Sequence, residues 1–177
     1  MGIRLVLVRH AKSDYPPGVI DHDRPLNARG RRDAPMIGHW LAENVPLESA
    51  EQAVVLVSSA VRTQQTWAAM QSVLPLPWAD VRATTESAIY EAPSQRLRRV
   101  LDEADGIGEG STLVMVGHNP GTHDLIVELG AASALHSQAA ERLPTSAVAV
   151  LVTDLPWRDA VAGRGTFEVT SFGIPRG

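Results

Sequence analysis

Apolar residues run almost unbroken from Ile3 to Val8 and stop at Arg9-His10. A run this short and continuous predicts a strand buried on both faces, as in parallel sheets. Ala53 to Val57 and Thr112 to Val116 repeat the pattern, ending at Ser58-Ser59 and at Gly117-His118-Asn119. Val81 to Thr85, Ser146 to Thr153 and Thr166 to Ser171 are further candidate strands, the last two separated by a turn around Asp159 to Gly165. Between the strands the period becomes helical. Ala34, Ile37 and Leu41 mark one helix, in which Pro35 either sits near the start or makes a kink. Ser58 or Ser59 is the expected cap of a second helix, which carries Arg62, Trp67, Met70 and Leu74 and ends at Pro75 and Pro77. Pro93 opens a third, with Leu97, Val100, Leu101 and Ala104 on one face. Two more are expected over Thr122 to Leu129 and, weakly, Ala131 to Arg142. Strands alternating with helices predict a layered α/β domain.

Composition narrows the function. The 177 residues carry 44% hydrophobic and 20% charged side chains, as in an ordinary globular domain. Length predicts one domain spanning residues 1–177. There is no cysteine, which excludes disulfides, thiolate nucleophiles and Cys-based metal sites. A formal charge of −4 argues against a nucleic-acid partner. The N-terminal apolar run is too short for a signal peptide, and no stretch reaches the ~20 apolar residues of a membrane span. A cytoplasmic protein without a membrane partner is the expectation.

Candidate chemistry gathers at three strand ends: Arg9-His10, Ser58 to Arg62, and His118. Ligands of open α/β sheets bind outside the carboxyl ends of the strands. If the three strands are parallel neighbours, Arg9, His10, Arg62 and His118 converge there. Two guanidiniums give a charged fork suited to phosphate oxygens. Two imidazoles give a nucleophile or base and a further donor. A helix starting near Ser59 could aim backbone N–H groups at the same anion. This set fits phosphoryl transfer better than acyl or hydride transfer.

Arg9-His10-Ala11-Lys12-Ser13 resembles the Arg-His-Gly motif of the histidine phosphatase superfamily, with Ala11 in place of glycine. Ser58 to Thr66 resembles its Ser-x-x-x-Arg-x-x-x-Thr motif, and Gly117-His118-Asn119-Pro120-Gly121 its third. Asp23-Arg24-Pro25-Leu26, Gly30 and Leu143 to Ala147 bring the chain nearer the SixA branch, the phosphohistidine phosphatases. The resemblance covers Ile3 to about Val152. It implies a phosphoglycerate mutase-like fold: a three-layer sandwich with a mostly parallel, partly mixed central sheet. It also implies that His10 attacks phosphorus to form a covalent phosphohistidine, held by Arg9, Arg62 and His118, without metal or other cofactor. Glu91 is the candidate general acid by its place in Ile89-Tyr90-Glu91-Ala92. Larger relatives insert a cap, for which this chain has no spare segment, so a phosphorylated protein of a phosphorelay or phosphotransfer system is the expected substrate. A small-molecule phosphatase or mutase, or a phosphate-dependent binding module without turnover, are the alternatives.

Plainer readings accompany the other candidates. Glu91 reads equally as a solvated carboxylate before a helix. Arg24 either contacts phosphate or pairs with Asp21 or Asp23. Ser13 either bonds phosphate or turns its loop. The Arg96, Arg98 and Arg99 cluster reads as a solvated helix face, and Trp67 and Trp78 as core or rim packing.

Overall fold

A computed structural model describes residues 2–177. Six strands form one sheet: β1 (Ile3–Arg9), β2 (Ala53–Ser58), β3 (Ala83–Glu86), β4 (Thr112–Gly117), β5 (Val148–Thr153) and β6 (Glu168–Gly173). The spatial order is β3-β2-β4-β1-β5-β6. The first four strands in that order run parallel; β5 pairs antiparallel with β1, and β6 pairs antiparallel with β5. Six helices cover the faces: α1 (Ala28–Asn44), α2 (Val61–Gln71), α3 (Ser94–Asp102), α4 (Gly121–Leu129), α5 (Ala134–Glu141) and α6 (Trp157–Ala162). This is the mixed-sheet α/β sandwich expected from the sequence.

The period of two along each strand builds two cores. Leu5 and Leu7 of β1 join Leu113, Met115, Ala149 and Leu151 on one face, beneath α3, α4 and α6. Val6 and Val8 join Val55, Val57, Val114, Val116, Val148 and Val150 on the other, beneath α1 and α2. Both faces are covered, so β1, β2 and β4 need apolar residues at consecutive positions. Trp67 and Trp78 both lie in the second core, and the Trp78 indole donates to the Val45 carbonyl at 2.8 Å. Gly38 lets α1 lie close against α2, because a Cβ there would stand 2.5 Å from the Met70 carbonyl oxygen.

Several expectations are corrected. Of the two placements open to Pro35, the one near the helix start is excluded: it lies well inside α1, which starts after Asn27, whose side chain accepts from Gly30 N–H at 2.9 Å. Neither Ser58 nor Ser59 caps α2. Ala60 holds that position without a side-chain bond, and both serine hydroxyls face histidines instead. The region around Asp159 is the short helix α6, whose Trp157, Ala160 and Val161 are buried. Arg98 is not a solvated residue: it bonds Glu128 at 3.1 Å and the Val161 and Gly163 carbonyls, tying α3 to α4 and α6.

Candidate active site

Register decides what meets. Arg9 pairs with Gly117, and Val57 pairs with Val116. Ser58 therefore stands level with Arg9 and Gly117, and His10 and His118 follow one residue on, at the carboxyl edge of three parallel strands. His10 N–H donates to the Gly117 carbonyl at 3.1 Å, and Ser146 N–H donates to the His10 carbonyl at 3.2 Å, which fixes the backbone on both sides of the ring. The His10 and His118 ring centroids are 5.2 Å apart. Arg62, in the first turn of α2, is 5% exposed.

A cavity of about 220 Å³ opens here. All seven residues singled out from the sequence line it: Arg9, His10, Ser13, Arg24, Arg62, Glu91 and His118. Lys12, Tyr15, Asp21, Asn119 and Thr145 complete the wall. A larger cavity, about 550 Å³, lies beside Gly2, Thr153 and Trp157 at the opposite sheet edge and contains none of this chemistry.

The His10 ring has a defined proton arrangement. Its Nδ1 lies 2.7 Å from the Ala11 carbonyl oxygen, which can only accept. Nδ1 therefore carries the hydrogen, and in the neutral ring Nε2 keeps its lone pair. Burial, opposed by the Ala11 bond and reinforced by Arg62, Arg9 and Arg24, lowers the His10 pKa to about 3. His118 is also lowered to about 3, by burial first and then by His10 and Arg62. Both rings are thus neutral at pH 7.

Asp21, which no motif marks, organises the cationic wall. It sits in a one-turn helix, Asp21–Asp23, on the loop after β1. Arg62 donates to the Asp21 carbonyl at 2.7 Å and to Oδ2 at 3.0 Å. The Tyr90 hydroxyl donates to the same Oδ2 at 2.9 Å, and Arg24 donates to Oδ1 at 2.6 Å and to the Ser13 hydroxyl. Burial by itself raises the Asp21 pKa, but the Tyr90 bond, Arg62 and Arg24 outweigh it and hold the carboxyl below its usual range. Arg24 thus both lines the cavity and pairs with Asp21, while Ser13 accepts from Arg24. Tyr90 also presents its ring edge-on to His118, with centroids 5.7 Å apart.

Glu91 is exposed and has a left-handed φ of 49°. The turn that carries it is pressed against the start of α4. A Cβ on Gly121 would stand 1.9 Å from the Ala92 carbonyl oxygen, so only glycine permits this approach. No signal of spacing links Asp21 to Tyr90, 69 residues apart. Ser58 lies within the Ser-x-x-x-Arg motif, where its position just before α2 is also that expected of a helix cap.

The sequence profile of the histidine phosphatase superfamily, branch 1, matches residues 5–89. A Mycobacterium tuberculosis protein of uncharacterised function is 37% identical over 174 residues, spanning 96% of this chain and all of that one. The chain belongs to the histidine phosphatase superfamily. Among solved structures, one provisionally named a phosphohistidine phosphatase SixA, from Nakamurella multipartitia, superposes with a TM-score of 0.81 at 26% identity. It covers 99% of this chain and 97% of its own. Another of the same provisional name, from Agrobacterium tumefaciens, gives 0.74 at 25% identity, covering 97% and 98%. The chain is a SixA-type member of the superfamily and a phosphatase enzyme.

The depressed histidines make folding pH-dependent. In the unfolded chain both rings titrate near 6.5, whereas in the folded protein they titrate near 3. Between those values the unfolded state binds more protons, so stability is full above pH 6.5 and falls as pH drops toward 3. The slope approaches about 1.4 kcal/mol per pH unit for each ring. Denaturant midpoints measured from pH 7 to 4 are expected to fall, and to fall less steeply in His10→Asn. Equal slopes for the two proteins would contradict this protonation scheme.

Proposed function

We propose that the 177 residues act as one histidine phosphatase domain without an inserted cap, hydrolysing phosphohistidine on a protein through a phosphorylated His10. The observation that carries this reading is the bare His10 Nε2, enforced by the Ala11 carbonyl and surrounded by Arg9, Arg62 and His118. Nε2 attacks phosphorus in line and the P–N bond to the carrier breaks; the carrier ring, already protonated on its other nitrogen, leaves as a neutral imidazole. Nδ1–H stays on the Ala11 carbonyl, so His10 becomes imidazolium-like on phosphorylation and is itself a good leaving group. Water then attacks phosphorus, releasing inorganic phosphate and returning the ring to its starting state. Arg9, Arg62 and His118 hold the phosphoryl oxygens as charge builds. The residues present supply the positive charge such a transition state needs, so the reading assigns no step to a metal.

Three features support a displayed phosphohistidine over a small metabolite. The cavity is smaller than the ~300–1,000 Å³ usual for small-molecule sites. Solved relatives carry the SixA name. Glu91 is exposed and makes no side-chain hydrogen bond among the described residues, so little holds it on a leaving oxygen. The kcat/KM for a phosphohistidine-bearing protein is expected to exceed that for sugar phosphates. The reverse order would favour the small-molecule alternative. Protein that binds phosphoprotein without releasing phosphate would favour the binding module.

Glu91→Gln separates leaving groups. A protonated imidazole leaves without further help, whereas an alkoxide needs an acid. The substitution is expected to slow alkyl phosphate hydrolysis more than phosphohistidine hydrolysis, which should change by no more than a few-fold. Equal losses on both substrates would remove the leaving-group argument.

A further inference from the structure

The buried end of His118 is held by a residue that the mechanism above does not use. We propose that Ser58 is a positioning residue: its hydroxyl donates to His118 Nε2, fixing the ring as the Nδ1–H tautomer and so as a donor to the transferring oxygens. This rests on the functional reading given above.

Ser58 ends β2 and is fully buried. Its Oγ lies 2.7 Å from His118 Nε2, the single hydrogen-bond partner of that hydroxyl among the described residues. The Ser58 carbonyl is separately engaged by the Thr63 hydroxyl and the Gln64 amide. A neutral imidazole has one N–H and one lone pair. If Nε2–H donated to Ser58, the serine proton would have no acceptor, and Nδ1 would turn a lone pair toward an incoming anion. If Ser58 donates to Nε2, the serine is satisfied and Nδ1 carries the hydrogen. Nδ1 is buried without any protein partner, the condition of a donor that its ligand completes. The low pKa of His118 adds that no second proton enters the ring at neutral pH.

The two active-site imidazoles then share one tautomer and present opposite nitrogens. His10 commits Nδ1–H to the Ala11 carbonyl and offers a lone pair. His118 commits its lone pair to Ser58 and offers N–H. What separates nucleophile from oxyanion donor is which nitrogen meets a neighbour and whether that neighbour is a carbonyl or a hydroxyl. A positioning group of this kind changes the reactive group's proton state without touching substrate.

Ser58→Ala tests the assignment, with Ser58→Thr as the variant that keeps the hydroxyl. Nitrogen-15 spectra of histidine-labelled, substrate-free protein read the tautomer directly. The wild type is expected to show His118 as Nδ1–H. In Ser58→Ala the proton is expected to move wholly or partly to Nε2, with kcat down roughly 10- to 100-fold and KM little changed. Ser58→Thr is expected to restore both the tautomer and most of kcat. An unchanged His118 tautomer in Ser58→Ala would overturn the inference, whether kcat stayed the same or fell. A fall without a tautomer change would mark a merely structural serine. The spectra need no substrate, so they stand apart from the functional reading, which fails instead if wild-type His10 is never phosphorylated during turnover.

Discussion

His10→Ala is expected to lower kcat on phosphohistidine protein by roughly 10⁴-fold or more, the scale of loss when a covalent nucleophile is removed. Folding should survive. The ring makes one side-chain hydrogen bond, to the adjacent Ala11 carbonyl, and loses rather than gains stability in acid. The expected signature is a protein with normal melting and near-normal affinity for phosphate but almost no turnover. Stopped-flow phosphate release and a thermal melt on the same sample measure both halves. A variant within tenfold of wild type would mean that another atom attacks phosphorus. The bare Nε2 would then be incidental.

Arg62 carries the second large effect, and its size depends on shape as well as charge. The guanidinium is held from one side by the Asp21 carbonyl at 2.7 Å and carboxylate at 3.0 Å. Its remaining N–H groups are thereby given fixed directions, available to phosphoryl oxygens. Lysine keeps the charge but offers a point donor on a flexible stem. Arg62→Lys is expected to reduce kcat/KM by roughly 10²- to 10³-fold, the range for losing a preorganised oxyanion donor. Arg62→Ala should lose more, because it also leaves the Asp21 carboxylate inside the phosphate pocket with only Arg24 and Tyr90 against it. Steady-state kinetics at fixed ionic strength read the difference. Near-wild-type kcat/KM for Arg62→Lys would show that charge alone suffices. It would also remove the role assigned to the Asp21 clamp.

Much of this arrangement is legible in the sequence. A strand covered on both faces must be apolar at every position, so Ile3 to Val8, Ala53 to Val57 and Thr112 to Val116 announced themselves. Polar residues directly after such runs can only sit at the sheet edge. Arg9, His10, Arg62 and His118 group together on the condition that the three strands are parallel neighbours, which the structure meets, and it gathers them around one cavity. Features made by long-range pairing were not legible. Asp21 reaches Tyr90 across 69 residues, and nothing local distinguishes it from other loop aspartates. Ser58 and Ser59 obeyed the local rule for helix caps, but tertiary partners claimed both hydroxyls, one for His118 and one for His22. α6 spans only six residues, too few for a helical period to emerge from the sequence. Arg98 has the composition of a solvated face and was drawn inward by Glu128.

The most direct test of the central claim is chemical trapping. Wild-type protein mixed with a ³²P-phosphohistidine protein and quenched in alkali within one turnover should carry an acid-labile, alkali-stable label. Peptide mapping should place that label on His10 and nowhere else. Label on a different residue, or full turnover with no label at any quench time, would contradict attack by His10.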